Sequence, residues 1–300
     1  MQRFFIHLAY NGTNYNGWQT QPGLPTVQQT LEGALSTLLR QKVAVVGCGR
    51  TDTGVHASDF YAHFSLTPNP SPTPTPCGYS PLSRGRVEGS LDCDQLVFKL
   101  NNLLPPDIAI YDIFPVADNA HARFDATART YQYHVSDRRL PFRQGQYCRI
   151  YFKPDIERMN EAARVLMEYE DFTSFAKLHT QVKTNICHLT VAQWEKVTVK
   201  SDELGVKSDE LRDKSYELRD KSYELGDKGE GDYEWVFTIR SNRFLRNMVR
   251  SVTGTLLDVG RGKLDIDGLR RIIEKKDRCA AGVSMPACGL FLTKVEYPSF

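Results

Sequence analysis

One acid in this chain stands in surroundings that suit chemistry. The run Gly49-Arg50-Thr51-Asp52-Thr53-Gly54-Val55-His56-Ala57 follows an apolar stretch, Val43-Ala44-Val45-Val46, that reads as a buried strand. A carboxylate at a strand end, in a loop flanked by Gly49 and Gly54, is placed to meet a ligand rather than a core. Glycine lets the backbone turn sharply and lets a partner approach closely. Arg50, two positions before the acid, supplies a counter-charge. A lone Asp-x-Gly is most often an ordinary turn beside a solvated arginine. The whole string is far more specific than that triplet.

Other residues have the types such a site needs. Tyr131 and Tyr133 are two apart on a strand pattern and so share a face. Aromatic faces can stack against unpaired bases, although strand tyrosines commonly just face a core. Arg243, Arg246 and Arg250 fall at i, i+3 and i+7, which predicts guanidinium groups along one face of a helix. A row of that kind is often only a solvated surface. His56 and His121 lie far apart with no accompanying Cys or Glu pattern, so they read as structural or backbone-contacting residues rather than metal ligands. Asp52-Thr53-Gly54 is also the triplet of aspartic proteases. Those enzymes need two such acids sharing a proton, and this chain has one, with an arginine close by.

The elements that must position these groups alternate between strand and helix patterns. Phe4, Ile6, Leu8 and Tyr10 alternate with polar positions as a first strand. Thr26-Val27-Gln28-Gln29 has the form of a capping box, opening a helix with Val27, Leu31, Leu35, Leu38 and Leu39 on its apolar side. Strands are predicted at Val43–Val46 and Phe60–Leu66, a helix near Leu91–Leu104 and a strand at Ile108–Phe114. A second round follows: strand Arg129–Val135, helix Ile156–Tyr169, strands Ile186–Lys200 and Tyr233–Ser241, helices Phe244–Val259 and Ile266–Lys275, and strand Gly289–Tyr297. The fold class is α+β.

At 300 residues and 41% hydrophobic content, the chain can bury one large core or two modest ones. Seven scattered cysteines, with no C-x-x-C pair, argue against a disulfide framework or zinc site and for a reducing compartment. No apolar run is long enough to span a membrane, and the expected location is cytoplasmic. The net charge of +2 conceals an uneven distribution. Lys200 to Glu230 is a tandem seven-residue repeat with a net charge of −3, which leaves +5 on the remainder. Only one position per repeat is reliably apolar, where a coiled coil needs two, so the segment reads as a solvated extension between strands. Thr67 to Gly89 carries Pro68, Pro70, Pro72, Pro74, Pro76 and Pro81, a spacing that forbids both helix and ladder and predicts an extended loop.

The Gly49–Ala57 string resembles the signature of the TruA family of tRNA pseudouridine synthases, with Thr53 where that family more often has alanine. Further stretches are similar in order and spacing: Ala9-Tyr10-Asn11-Gly12-Thr13-Asn14-Tyr15-Asn16-Gly17-Trp18-Gln19; His121-Ala122-Arg123-Phe124 with Ala126–Tyr133; Asp171–Phe175; Phe244–Arg250 with Gly254; and Gly289–Leu292. The resemblance implies two similar α/β halves with sheets side by side and a central cleft. Here they would be residues 1–116, carrying the acid and the insertion at 67–89, and residues 117–300, carrying the insertion at 200–230. It implies isomerisation of uridine in the anticodon stem-loop of tRNA by a homodimer, with no cofactor. Asp52 would be catalytic, as nucleophile or base at the sugar. Tyr131 would lie against the target base, and Arg250 would pair with Asp52. Arg50, Arg123, Arg139 and Arg246 would contact tRNA, with Arg50 filling the stack that the target uridine leaves. A non-catalytic RNA-binding module is the competing reading.

Overall fold

The computed structural model describes residues 1–66, 91–177, 184–199 and 232–298. The expected proline-rich loop at 67–89 and the repeat at 200–230 lie outside the described residues. Strands β1 (Gln2–Tyr10), β2 (Val46–Gly47), β3 (His56–Leu66), β4 (Ile108–Val116), β5 (Ala128–Ser136), β6 (Cys148–Arg149), β7 (Leu189–Thr198), β8 (Tyr233–Ser241) and β9 (Leu290–Glu296) form one nine-stranded sheet. Its order is β4-β1-β3-β9-β5-β8-β7, with β2 paired to β3 and β6 to β5. Helices α1 (Val27–Leu39), α2 (Cys93–Leu103), α3 (Ile156–Leu166), α4 (Met248–Gly260) and α5 (Ile266–Lys275) complete the α+β fold.

Two apolar clusters underlie this sheet. One gathers Phe4, Leu8, Leu31, Leu35, Phe60 and Leu100 from β1, α1, β3 and α2. The other gathers Tyr133, Met159, Leu166, Phe237, Val252 and Leu256 from β5, α3, β8 and α4. β9 serves both, since Leu290 belongs to the second cluster while Leu292 and Val295 belong to the first. Helix starts follow ordinary capping chemistry. Thr26 accepts from Gln29 N, Asp92 from Gln95 N, Asp155 from Arg158 N and Asp265 from Gly268 N.

Three elements differ from the sequence expectation, one of them the strand expected from Phe60, which begins at His56. The run Val43–Val46 is not a strand along its length, because only Val46–Gly47 pairs with β3. Val43 and Val45 are buried as expected, but their N–H groups donate to Ser36 Oγ and Glu32 Oε1 of α1 instead of a neighbouring strand. The helix expected from Phe244 begins at Met248. Asn247, with φ 67°, precedes it in the left-handed conformation. Arg243 and Arg246 therefore lie before the helix, and Arg250 alone of that row is on it.

The two sides of the sheet meet through a narrow join. β3 and β9 run parallel and pair only at His56↔Phe291 and Ala57↔Leu292. Beyond that point the Asp59 side chain replaces the ladder. Its Oδ2 accepts from Val295 N of β9 at 2.7 Å, and its Oδ1 meets His7 Nε2 of β1 at 2.7 Å. At the far edge, Thr198 of β7 pairs with Tyr233 of β8, and Val199 N donates to Asp232 O at 2.7 Å. The segment carrying the repeat thus leaves and re-enters at adjacent positions. Asp59→Ala should lower stability by about 1–3 kcal/mol, the cost of a half-buried donor left bare, read as a lower urea midpoint with an unchanged slope.

Candidate active site

Asp52 lies in the loop between β2 and β3, and the chain's first loop cradles it. Trp18 N donates to Thr51 O at 3.3 Å, and Gly54 N donates to Tyr15 O at 3.2 Å. The Tyr10 hydroxyl meets Thr51 Oγ1 at 2.8 Å. Gly17 has φ +83°, and a Cβ there would sit 2.3 Å from Thr51 O, so no other residue fits that approach. Gly54, at φ +78°, makes the turn after the acid. The Ala9–Gln19 stretch, which the sequence left without a task, is the wall that holds the Asp52 loop.

His56 closes the other end of that loop. Its Nδ1 accepts from Gly12 N at 3.0 Å, and its Nε2 lies 2.9 Å from Gly145 O and 3.2 Å from Cys288 O. An acceptor at one nitrogen and a donor at the other describe a neutral ring, and burial lowers the pKa of His56, which favours that form. His121 likewise contacts backbone, accepting at Nδ1 from Arg123 N and Phe124 N. Among the described residues no group of His, Cys, Asp and Glu could hold a metal ion.

Across the sheet join, α4 and the turn before it bring two guanidinium groups to the acid. Arg246 Nε lies 3.4 Å from Asp52 Oδ1, and Arg250 Nη1 lies 3.7 Å from Oδ2. Their side chains are 57% and 22% exposed, against 28% for Asp52, so Arg250 is much the better enclosed of the two. Arg250 is also aimed. Its Nε donates to Met285 O at 2.5 Å, and its own carbonyl accepts from Met285 N at 3.1 Å. The segment after α5 thereby fixes the direction from which Arg250 meets the acid. Arg50, expected as the counter-charge of Asp52, is exposed and makes no ion pair with it among the described contacts. Arg246 and Arg250 hold that place.

Tyr131 sits beside both clusters on β5, edge-on to Phe244 with centroids 5.1 Å apart. Burial pushes its phenol well above the ordinary value; Cys48 and Asp52 add to this, and Arg129 opposes it. Tyr131 is therefore a neutral phenol at neutral pH. Tyr133, its neighbour on the strand, is fully buried and donates to Pro286 O at 2.6 Å. The two tyrosines thus have separate roles, which strand periodicity alone left open.

The arginines form a wider field. Desolvation and the nearby cations of Arg50, Arg129 and Arg243 lower the pKa of Arg123, placing these groups on one surface. Arg139 is exposed in the connection between β5 and β6, and no described contact ties it to this group. Arg129 has a task that sequence reasoning missed. Its Nη1 donates to Ala126 O and Asn242 O, both at 3.0 Å, and its Nη2 donates to Cys48 O at 3.0 Å and Arg123 O at 2.7 Å. One guanidinium thus locks the start of the Asp52 loop, the Arg123 turn and the segment leading to Arg243. In the sequence it reads as an ordinary strand charge.

One cavity, of about 600 Å³, is lined by Leu24, Gln29, Thr37 and Leu104 and does not include Asp52. A second, of about 260 Å³, lies beside His56, Asp107 and Phe291, again without Asp52. The acid is itself partly enclosed, with the guanidinium groups of Arg246 and Arg250 beside it.

Comparison with known proteins identifies the family of this chain. A tRNA pseudouridine synthase of Bacteroides thetaiotaomicron, tRNA pseudouridine synthase A, is 50% identical over 298 residues, covering 99% of this chain and 91% of that protein. The chain belongs to the tRNA pseudouridine synthase A family. Proteins of the same name from Porphyromonas gingivalis, 48% identical with 100% of this chain and 98% of the relative covered, and from Bacteroides fragilis, 45% identical with 99% and 97% covered, extend the match. The family model for tRNA pseudouridine synthase matches residues 162–298, which include Arg246 and Arg250. Membership in the tRNA pseudouridine synthase A family makes the Asp52 surface the first place to look for chemistry.

If Arg129 locks this surface, Arg129→Met should lower unfolding stability by about 2–4 kcal/mol, because four carbonyls lose a charged donor. Arg129→Lys should restore less than half of the loss, since an ammonium lacks the planar fork. Chemical denaturation of the three proteins measures both effects.

Proposed function

We propose that this protein isomerises uridine to pseudouridine in tRNA, with Asp52 as the group that acts at the ribose. One observation carries the reading: a single carboxylate is set between the guanidinium groups of Arg246 and Arg250 on a surface otherwise lined with cations. A protein that only bound RNA would gain nothing from an acid there, because it repels phosphate. An acid retained and aimed among arginines has chemistry to do.

The reaction breaks the bond between N1 of uracil and C1′ of the ribose, and forms one from C5 to the same C1′. C5 loses a proton and N1 gains one, so the atoms balance with no oxidant or reductant. A glycosidase needs two carboxylates because water enters as the base departs. Here the base itself returns, and one ionised carboxylate suffices. Attack of Asp52 on C1′ and removal of a sugar proton both begin from that ionised form. Arg250, enclosed and tethered to Met285, holds the carboxylate in position; Arg246, mostly exposed, is free to exchange Asp52 for a phosphate as RNA arrives. Tyr131, a neutral phenol edge-on to Phe244, offers a ring against which the extruded uracil can lie.

The finer features of the family belong to the same proposal. They are a target in the anticodon stem-loop, a homodimer acting in the cytoplasm, and two halves at 1–116 and 117–300. Two apolar clusters joined at β3 and β9 support the division, although Ala122 and Ala126 pack with the first cluster from beyond its boundary. Arg50 and Arg123 suit tRNA contact by their exposure on this surface, and Arg139 stands as a more distant contact. No helix among the described residues is long and apolar enough to cross a membrane.

Release of tritium from C5-labelled uridine in tRNA tests the chemistry directly. Asp52→Asn should abolish release while leaving tRNA affinity within about threefold, because shape is kept and only charge removed. Binding by wild-type protein with no release would identify an RNA-binding module instead. Arg250→Met should slow single turnover at saturating tRNA by on the order of a hundredfold, with partial recovery in Arg250→Lys. A loss confined to tRNA affinity would reassign Arg250 to phosphate contact.

A further inference from the structure

The arginine-lined surface carries one large apolar side chain to which nothing above assigns a task. Phe124 is 75% exposed. Single exposed apolar residues are common and ordinarily need no explanation. Phe124 differs in how it is held.

It stands on the turn His121–Asp125, whose backbone is fixed from several directions. His121 N donates to Asp125 Oδ2 at 2.7 Å, and Asp125 N donates to His121 O at 3.0 Å. His121 Nδ1 accepts from Arg123 N at 3.1 Å and from Phe124 N at 3.3 Å. From below, Ala122 N donates to His63 Nδ1 at 3.1 Å, and the Tyr297 hydroxyl donates to Ala122 O at 2.6 Å. Arg129 holds Arg123 O at 2.7 Å. Burial, with help from His121 and Arg3, pulls His63 down to about 4, so it remains a neutral acceptor at neutral pH. The ring itself is backed by the His121 imidazole, centroids 4.3 Å apart, and the Arg123 guanidinium carbon lies 5.7 Å from its centroid. A rigid turn thus presents a large flat ring to solvent beside the Arg123 guanidinium, and Arg129 ties that turn to Cys48 O at the start of the Asp52 loop.

We propose that Phe124 is a stacking platform for a nucleobase of the substrate RNA, adjacent to the nucleotide held at Asp52. This rests on the tRNA reading given above. Every base has a π-face, so an aromatic ring takes one without reading its identity, and a neighbouring guanidinium adds cation–π attraction while meeting the flanking phosphate. Extrusion of a uridine towards Asp52 unstacks its neighbours. A ring fixed in advance replaces a lost stacking partner without first having to be ordered.

The test uses wild type, Phe124→Ala, Phe124→Leu and Phe124→Tyr with a tRNA transcript, following Kd across a salt series together with single-turnover tritium release. The alanine and leucine variants should bind on the order of tenfold more weakly, while tyrosine stays within about twofold of wild type. The slope of log Kd against log salt should not change, because no phosphate contact is removed, whereas Arg123→Ala should reduce it. Thermal midpoints should match, since the ring is exposed. Affinity within twofold for alanine, wild-type affinity for leucine, or a reduced salt slope for alanine would each overturn the platform. So would a change in sedimentation confined to the Phe124 variants, which would mark the ring as a protein contact. Wild type that binds tRNA but releases no tritium would sink the catalytic reading alone, leaving the platform to stand or fall on the affinity series.

Discussion

The pairing of one carboxylate with guanidinium groups from the far side of a sheet join is the interaction on which the rest depends. Asp52 comes from the loop before β3, and Arg250 from the first turn of α4. Neither residue's own element can set their separation. A partly enclosed ion pair is sensitive to geometry, because its attraction must offset lost hydration at both ends. The surrounding structure accordingly constrains both partners through backbone: Tyr15 and Trp18 on the acid's side, Met285 on the arginine's.

That demand explains the unusual economy of the join. Two residue pairs of parallel ladder would be a weak hinge if they acted alone. They are reinforced by side chains that bond to backbone around the join: Asp59 to Val295 N, His56 to Cys288 O, Arg129 to Cys48 O and Asn242 O. Each ties a polar side chain to backbone near the join, and Val295 N is the one of these groups that lies on the part of β9 unpaired with β3. The paired residues His56 and Ala57 are those of β3 nearest Asp52, so the short ladder anchors the end of the strand from which the acid's loop departs.

Much of this was legible in the residues, and the exceptions have physical causes. The spacing of Leu31 and Leu35 reports burial directly, whereas the alternation of Phe4, Ile6, Leu8 and Tyr10 reports one face of its strand only, since Phe5 on the other face is fully buried too. Val43–Val46 misled because an apolar run looks the same whether its N–H groups meet a strand or the side chains of Glu32 and Ser36. Phe244–Asn247 contains no glycine or proline, and Asn247, although of a type that often caps helices, makes no side-chain capping bond and donates its amide to Ser284 Oγ instead. Asp52 stood out because its flanking residues are distinctive as a set. Arg129 did not, since its four carbonyl partners come from distant stretches and a carbonyl has no sequence identity.

The position of β9 sets the order in which this protein can be made. Every other described strand and helix precedes it in the chain, yet it lies mid-sheet, with β3 on one side and β5 on the other. On a ribosome, the two clusters can begin to collapse as their segments emerge, but they have no shared strand until Leu290–Glu296 arrives. The join between the two clusters is therefore among the last features to form, and sequence-distant pairing of this kind is slow. A nascent chain at that stage has its acid and its arginines on separate bodies.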